Sequence, residues 1–293
     1  MPIRWHIDDP ALLLQAIEAT ARETGFNPRL IEKDYFCSVV LEYLAAADAG
    51  LVFKGGTCLA KVHGSFYRLS EDLDFSISIA SDASRADRSS RAAGLKPLIG
   101  GIAKAVPGCQ VLEPLRGANA STQYNAVVGY QSLLDSHAES IRVEVGLREP
   151  MLVRTRPGMS NTMLLNPATG RSLVEAFPIP SLSYLELMAE KVRAALCRRD
   201  VAIRDFFDVD HAVQRQALEI IRPEFLDLLR LKLTVPGTGV PDVSSDRMQL
   251  LSAQMEGDLR PVLRERDFVS FDLERAIGIL EMVVKRLDAS KVE

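Results

Sequence analysis

Two short motifs lie close together in the sequence and carry residue types that can bind a metal ion and a phosphate. Asp72-Leu73-Asp74 places two carboxylates two positions apart, shortly after Gly55-Gly56-Thr57. Residues two apart in a strand share a face, and adjacent carboxylates repel each other unless a cation lies between them. Mg²⁺ is typically held by one or two carboxylates together with substrate phosphates. The pair therefore predicts a site for Mg²⁺, or for Mn²⁺, at Asp72 and Asp74.

The glycine motif supplies a complementary place for the phosphates. Glycine lets the backbone approach a ligand closely, and the first amides of a helix favour negative charge. Residues 51–54 are typical of a strand and 57–63 of a short helix, so the glycines fall at the turn between them. We therefore expect a nucleoside triphosphate whose phosphates lie at Gly55, Gly56 and Thr57.

A second alternating segment offers a third carboxylate. In Ile141–Leu147 the odd positions are apolar, while Arg142 and Glu144 face the other way. Glu144 could bridge the metal or accept the proton of an attacking hydroxyl, as in a two-metal site. Each motif also has an ordinary explanation, since Asp-x-Asp is common in turns and Glu144 could be a solvated strand residue. Their order along the chain favours the catalytic interpretation.

The surrounding pattern predicts an α/β domain over residues 1–178 and an all-helical domain over 179–293. Apolar spacing indicates helices, and alternation indicates strands of a mixed, mostly antiparallel sheet. The expected strands are 51–54, 72–79, 110–116, 123–131, 139–148 and 150–156. The expected helices are 10–23, 28–47, 57–63, 82–106, one opened by a capping box at Ser183, and then 203–215, 222–232, 246–257 and 271–287.

Composition limits the partners of the chain. The net charge is −4 over 293 residues, so RNA binding would require a local basic patch or bound metal. The better candidate patch is the set of arginines near Lys191, and residues 85–96 form a second one. No apolar run reaches the ~20 residues that span a bilayer, and the start lacks a signal peptide. We expect a cytoplasmic protein with reduced cysteines and no membrane partner.

The segments Phe53–Leu59 and Arg68–Asp74 resemble the nucleotidyltransferases of DNA polymerase β-like fold. Within that superfamily they are most similar to the AbiEii/AbiGii toxin family, which includes the mycobacterial MenT toxins. The resemblance covers roughly residues 32–210. Three further segments resemble motifs of that family, namely Glu32–Tyr35, Glu190–Ala194 and Arg204–Asp208.

The resemblance implies a polymerase β-like nucleotidyltransferase domain followed by a helical domain. It implies an enzyme that transfers a nucleotide from an NTP, with tRNA 3′ ends as the acceptor in studied members. It also implies a toxin whose antitoxin is encoded nearby, or a role in phage defence. By position, Lys191 would contact phosphate and Asp205 would be the conserved downstream acid, while Ser70 matches a motif position whose role stays open.

Alternatives remain open on the sequence alone. The acceptor could be a protein hydroxyl or a small molecule such as an aminoglycoside, or the chain could bind nucleotide or RNA without catalysis. Lys191 could be an ordinary solvated helical lysine. Asp205, Asp208 and His211 recur every three residues, which fits either a metal site or a polar helix face.

Overall fold

The computed structural model describes residues 3–47 and 49–289. The chain divides into two compact units, Met1–Leu182 and Ser183–Glu293. In the described residues, the first unit contains the β-strands and the second is helical. None of the helices in the described ranges is both long enough and apolar enough to cross a membrane.

The first unit contains a sheet and a set of mostly short helices. Its helices are α1 (Trp5–Asp8), α2 (Pro10–Thr24), α3 (Pro28–Ala45), α4 (Gly55–Cys58), α5 (Arg85–Arg91), α6 (Leu95–Gly100) and α7 (Ile102–Ala105). Its strands are β1 (Val52–Lys54), β2 (Leu73–Ser76), β3 (Cys109–Ala118), β4 (Gln123–Gln131), β5 (Ala138–Gly146), β6 (Arg156–Ser160) and β7 (Phe177–Ser181). Helix α4 continues as a π-helical turn, Leu59–His63.

The strands form one mixed sheet in the order β3-β4-β5-β2-β1-β7-β6. The β5–β2 and β1–β7 pairs are parallel, and the remaining neighbours are antiparallel. This confirms the predicted α/β fold with a mixed, mostly antiparallel sheet. Alternating residues of a strand lie on opposite faces of the sheet. In β4, Tyr124, Ala126 and Val128 are buried, while Gln123 and Asn125 are only half-buried.

Local sequence signals set the ends of the long helices. Asp9 caps α2 by accepting a hydrogen bond from the Leu12 amide, and Gly25 ends it with a left-handed φ of 79°. Asn27 caps α3 by accepting from the Arg29 amide. Side-chain acceptors at a helix start satisfy amides that have no partner within the helix.

Several predicted elements were wrong in extent. The single helix expected at 82–106 is three short helices, and Gly94 and Gly101 lie at the breaks between them. The strand expected at 72–79 is only Leu73–Ser76, and Ser76 is buried rather than on a polar surface. The strand expected at 150–156 is absent from the described residues there, and β6 begins at Arg156 instead. Strand β7 was missed because its two prolines weaken the strand pattern.

The second unit consists of helices in its described residues. They are α8 (Tyr184–Cys197), α9 (Ile203–Arg215), α10 (Pro223–Leu233), α11 (Ser245–Gln254), α12 (Glu265–Ser270) and α13 (Leu273–Ala289). Ser183 caps α8 by accepting from the Glu186 amide, as the sequence predicts. On α8, Met188 and Val192 are buried, whereas Leu185 is 46% exposed.

Candidate active site

Gly55 and Gly56, the first residues of α4, form the turn that follows β1, and this glycine turn can lie directly against Asp74. Gly55 has a φ of +75°, a left-handed conformation that glycine adopts without strain. A Cβ atom on Gly55 would lie 2.1 Å from the Asp74 Oδ2 atom and 2.8 Å from the Asp74 Cβ atom. Only glycine therefore allows this approach between the turn and the carboxylate.

The second glycine packs against an arginine and a serine. A Cβ atom on Gly56 would lie 2.6 Å from an Nη2 of Arg68 and 3.0 Å from the Oγ of Ser70. Arg68 is 2% exposed, and its Nη1 donates to the Leu69 carbonyl at 3.0 Å. Arg68 had no assigned role from the sequence, although a charged residue between Tyr67 and Leu69 was a visible signal. The structure brings a buried guanidinium to the glycine turn.

Thr57 ties the turn to the start of the acidic strand. Its hydroxyl donates to the Asp72 carbonyl, and the side chain is 1% exposed. The hydroxyl is thus engaged in holding the turn and the Asp72 segment together. Any contact of Thr57 with a phosphate would have to come from its backbone amide.

Strand register brings the predicted carboxylates of the two acidic strands side by side. Asp74 on β2 is paired with Glu144 on β5 and, on its other side, with Lys54 on β1. Asp72 directly precedes β2, and it is half-buried like Asp74, with the buried Leu73 between them. This alternation puts both aspartates on the same side of the chain. Like charges directly opposite each other destabilise a sheet, so a cation near Asp74 and Glu144 would relieve their repulsion.

The donor chemistry of this region fits a hard divalent cation. Asp72, Asp74 and Glu144 offer carboxylate oxygens, the ligand type that Mg²⁺ prefers. Among the residues that the structure describes, no three or more His, Cys, Asp or Glu side chains group as a metal-binding cluster. Mg²⁺ sites of one or two carboxylates rely on substrate phosphates to complete the coordination shell.

A buried ion pair holds the chain that follows the glycine turn. Lys61 lies in the π-helical turn after α4, and its Nζ is 2.6 Å from Asp34 Oδ1 and 2.7 Å from Ser38 Oγ. The side chains of Lys61 and Asp34 are 0% and 4% exposed. The Asp34 Oδ2 atom is buried without a hydrogen-bond partner. Breaking a buried ion pair leaves an uncompensated charge and is therefore costly. The pair thus holds the segment Leu59–His63, which follows the glycine turn, against α3.

The rest of the Glu32–Tyr35 motif also binds α3 to separate segments. Lys33 Nζ lies 2.7 Å from Glu71 Oε2, next to Asp72. Glu32 accepts from the Ser132 hydroxyl at 2.7 Å, and burial raises the pKa of its carboxyl group. The Tyr35 hydroxyl lies 2.8 Å from the His6 Nδ1 atom. We infer that this motif is structural, since its side chains bind α3 to segments that include Glu71, the residue before Asp72.

In the second unit, Lys191 and Asp205 lie together in a buried charge cluster. Lys191 Nζ is 2.6 Å from Asp205 Oδ1 and 2.9 Å from Asp208 Oδ2. Arg198 Nη1 lies 3.1 Å from the second oxygen of Asp205. Lys191 is only 13% exposed as a side chain, and both aspartates are buried. The alternative of a solvated lysine is therefore wrong, and the polar face of α9 is a buried one whose aspartates are ion-paired.

His211 does not complete a metal site with these aspartates, because no such cluster occurs among the described residues. Burial lowers the pKa of the His211 imidazole.

Among the predicted site residues, the first unit brings together Gly55, Gly56, Ser70, Asp74 and Glu144. The second unit pairs Lys191 with Asp205.

Comparison with known proteins gives both a family match and similar structures. A family model described as nucleotidyl transferase AbiEii toxin, type IV toxin–antitoxin system, matches residues 40–275. The crystal structure of JHP933 from Helicobacter pylori is 17% identical, with a TM-score of 0.52, covering 91% of this chain and 96% of that one. MenT4, a nucleotidyltransferase toxin from Mycobacterium tuberculosis, is 20% identical, with a TM-score of 0.52, covering 87% and 93%. No curated protein sequence matches significantly.

Proposed function

This chain belongs to the AbiEii nucleotidyl transferase toxin family, and on that basis we propose that it transfers a nucleotide from an NTP to an RNA 3′ end, with tRNA as the first candidate. The nucleotidyltransferase class follows from the family. The metal dependence, the acceptor and the cognate antitoxin partner are parts of the proposal. The observation that supports it most is the contact between the Gly55 turn and Asp74, with Glu144 paired to Asp74 on the next strand.

The proposed roles follow from what each group can do. The backbone at Gly55, Gly56 and Thr57 receives the triphosphate, and the Ser70 hydroxyl beside Gly56 donates to a phosphate oxygen. Arg68 holds the turn and adds positive potential beneath it. Asp72 and Asp74 would hold Mg²⁺ or Mn²⁺, which when bound neutralises phosphate charge and stabilises the leaving pyrophosphate.

Glu144 is the proposed base, because it lies beside Asp74 on a rigid strand and can accept the proton of the acceptor hydroxyl. The new bond joins the acceptor oxygen to the α-phosphorus, and the bond from that phosphorus to the pyrophosphate oxygen breaks. We keep Lys191 as the proposed phosphate contact and Asp205 as the acid that positions its ammonium. Both assignments depend on the family motif and on their 2.6 Å contact.

The test is transfer of label from α-³²P-labelled NTPs, with Mg²⁺, to total tRNA or to cell-extract protein. We expect label on RNA from the wild-type protein and its loss in Asp74→Asn. Asp82→Asn, an exposed aspartate outside the site, serves as the matched control. Label on protein alone would replace the RNA acceptor with a protein hydroxyl. Undiminished transfer by Asp74→Asn would overturn the site assignment.

A toxin of this family would be silenced by an antitoxin, so toxicity gives a second readout. We expect growth arrest on expression of the wild-type chain and none with Asp72→Asn or Asp74→Asn. If arrest persisted in both variants, the chain would act by sequestering nucleotide or RNA rather than by catalysis.

A further inference from the structure

A row of paired polar residues crosses the half-exposed face of the sheet in the first unit. Direct pairing links Lys54 on β1, Asp74 on β2, Glu144 on β5, Asn125 on β4 and Arg116 on β3. Directly paired residues on neighbouring strands present their side chains to the same face. We call these five residues the polar row. Asp74 and Glu144 of this row belong to the proposed site. Asn125 and Arg116, which we call its outer half, have no assigned role.

The burial pattern shows that the outer half faces away from the core. Asn125 is half-buried between Tyr124 and Ala126, which are 3% and 1% exposed. Arg116 is exposed and follows Leu115, which is buried. The outer half of the polar row therefore combines a partly sheltered amide with a cation that a ligand can reach.

A short chain of amide groups positions Asn125. Asn119 Nδ2 donates to Gln123 Oε1 at 3.0 Å, and Gln123 Nε2 donates to Asn125 Oδ1 at 3.5 Å. The Asn125 amide nitrogen is thus the last donor of this chain. The chain starts in the turn between β3 and β4, where Asn119, Ala120 and Ser121 all have positive φ. Such conformations cost energy and tend to cluster at functional sites.

The stereochemistry of transfer predicts what this half of the row would meet. Attacking and leaving oxygens lie roughly in line in phosphoryl transfer. Under the proposed function, the leaving pyrophosphate lies at the Gly55–Gly56 turn, next to β1. The acceptor hydroxyl must then approach from the opposite side of Asp74, towards β5, β4 and β3. On that side the polar row continues through Glu144 to Asn125 and Arg116.

We propose that Gln123, Asn125 and Arg116 form the acceptor subsite, and that its ligand is the 3′-terminal nucleotide of an RNA. This inference rests on the proposed function and extends it. Asn and Gln amides can both donate and accept, which suits the edges of nucleobases. The Arg116 guanidinium suits a phosphate of the same strand. The 3′ oxygen then bonds to the α-phosphorus as pyrophosphate leaves, and the hydroxyl proton passes to Glu144.

The test measures separate KM values for the NTP and for total tRNA, using α-³²P-labelled NTP. In Asn125→Ala and Arg116→Gln we expect the KM for tRNA to rise about tenfold, within the range for losing one base or phosphate contact. The KM for NTP stays within about twofold, because the triphosphate lies on the other side of Asp74. Arg116→Gln also reduces the slope of the logarithm of the tRNA binding constant against the logarithm of the salt concentration by about one.

The matched controls are Gln110→Ala, exposed on the same strand as Arg116, and Arg22→Gln, exposed on α2 and outside both basic patches. We expect wild-type KM values for both substrates in each control. A rise in the KM for NTP alone, or no change for tRNA in either variant, would overturn the acceptor subsite while leaving the proposed function intact. Label transferred by the wild type only to protein would overturn the RNA ligand. Absence of transfer to any acceptor would overturn the proposed function and the subsite together.

Discussion

Replacing Gly55 with alanine isolates the contact between the turn and Asp74. The substitution adds backbone strain and a steric clash, and only the clash involves a residue of the site. A left-handed alanine costs roughly 1–2 kcal/mol of backbone strain. The added Cβ would also lie 2.1 Å from Asp74 Oδ2 and 2.8 Å from Asp74 Cβ, where real contacts exceed 3.0 Å.

Because the clash includes the Asp74 Cβ atom, rotation of the carboxylate cannot relieve it. The turn or β2 has to move by roughly 1 Å, and a misplacement of that size costs on the order of a hundredfold in rate. We therefore expect Gly55→Ala to transfer nucleotide at about one-hundredth of the wild-type rate, measured with α-³²P-labelled NTP at saturating Mg²⁺.

Gly25→Ala is the matched control, since Gly25 has a φ of +79° and no atom within 4 Å of its Cβ position. It carries the same backbone strain without any contact to Asp74. We expect Gly25→Ala to lose ~1–2 kcal/mol in urea unfolding and Gly55→Ala to lose more, because the clash with Asp74 adds to the strain. Only Gly55→Ala is expected to lose activity. If Gly55→Ala kept more than about a fifth of the wild-type rate, the close approach of the turn to Asp74 would not matter for transfer.

Further predictions concern buried charges. Asp34→Leu should lower the free energy of unfolding by about 3–5 kcal/mol, because it leaves the buried Lys61 ammonium without its partner, and the double variant with Lys61→Met should regain most of this loss. Urea unfolding of the single and double variants measures the difference. Equal instability of the single and the double variant would contradict the prediction. Lys191→Gln should destabilise the fold by a similar amount, whereas Lys191→Arg should stay folded, as thermal unfolding would show. Burial lowers the pKa of His63 below its ordinary 6.5, so the unfolded chain binds that proton first and stability falls as pH drops below about 6.5. His63→Gln should flatten this fall, and identical pH slopes for variant and wild type would refute the attribution.

Local sequence signals were sufficient for much of the fold. Strand β4 and helix α9 begin and end where periodicity predicts, at Gln123–Gln131 and Ile203–Arg215. Alternation and apolar spacing are local properties of the chain, so they can be read without tertiary structure. The long helix expected at 82–106 is also divided for a local reason, because the glycines at 94 and 101 disfavour a continuous helix.

Tertiary features could not be read in this way. The register that pairs Asp74 with Glu144 depends on the crossover between two distant strands. The burial of Lys61 and Lys191 depends on partners supplied by other helices, namely Asp34 and Asp205. A lysine in an amphipathic helix has the same sequence pattern whether it is solvated or paired.

The most direct test of the account is calorimetric titration of a non-hydrolysable NTP analogue with and without Mg²⁺. In the proposed site, Asp72 and Asp74 bind the ion against a triphosphate that lies at the glycine turn. We expect Mg²⁺ to strengthen analogue binding to the wild type at least about tenfold, and Asp74→Asn to remove this gain while keeping the metal-free affinity. An undiminished Mg²⁺ effect in Asp74→Asn would contradict it.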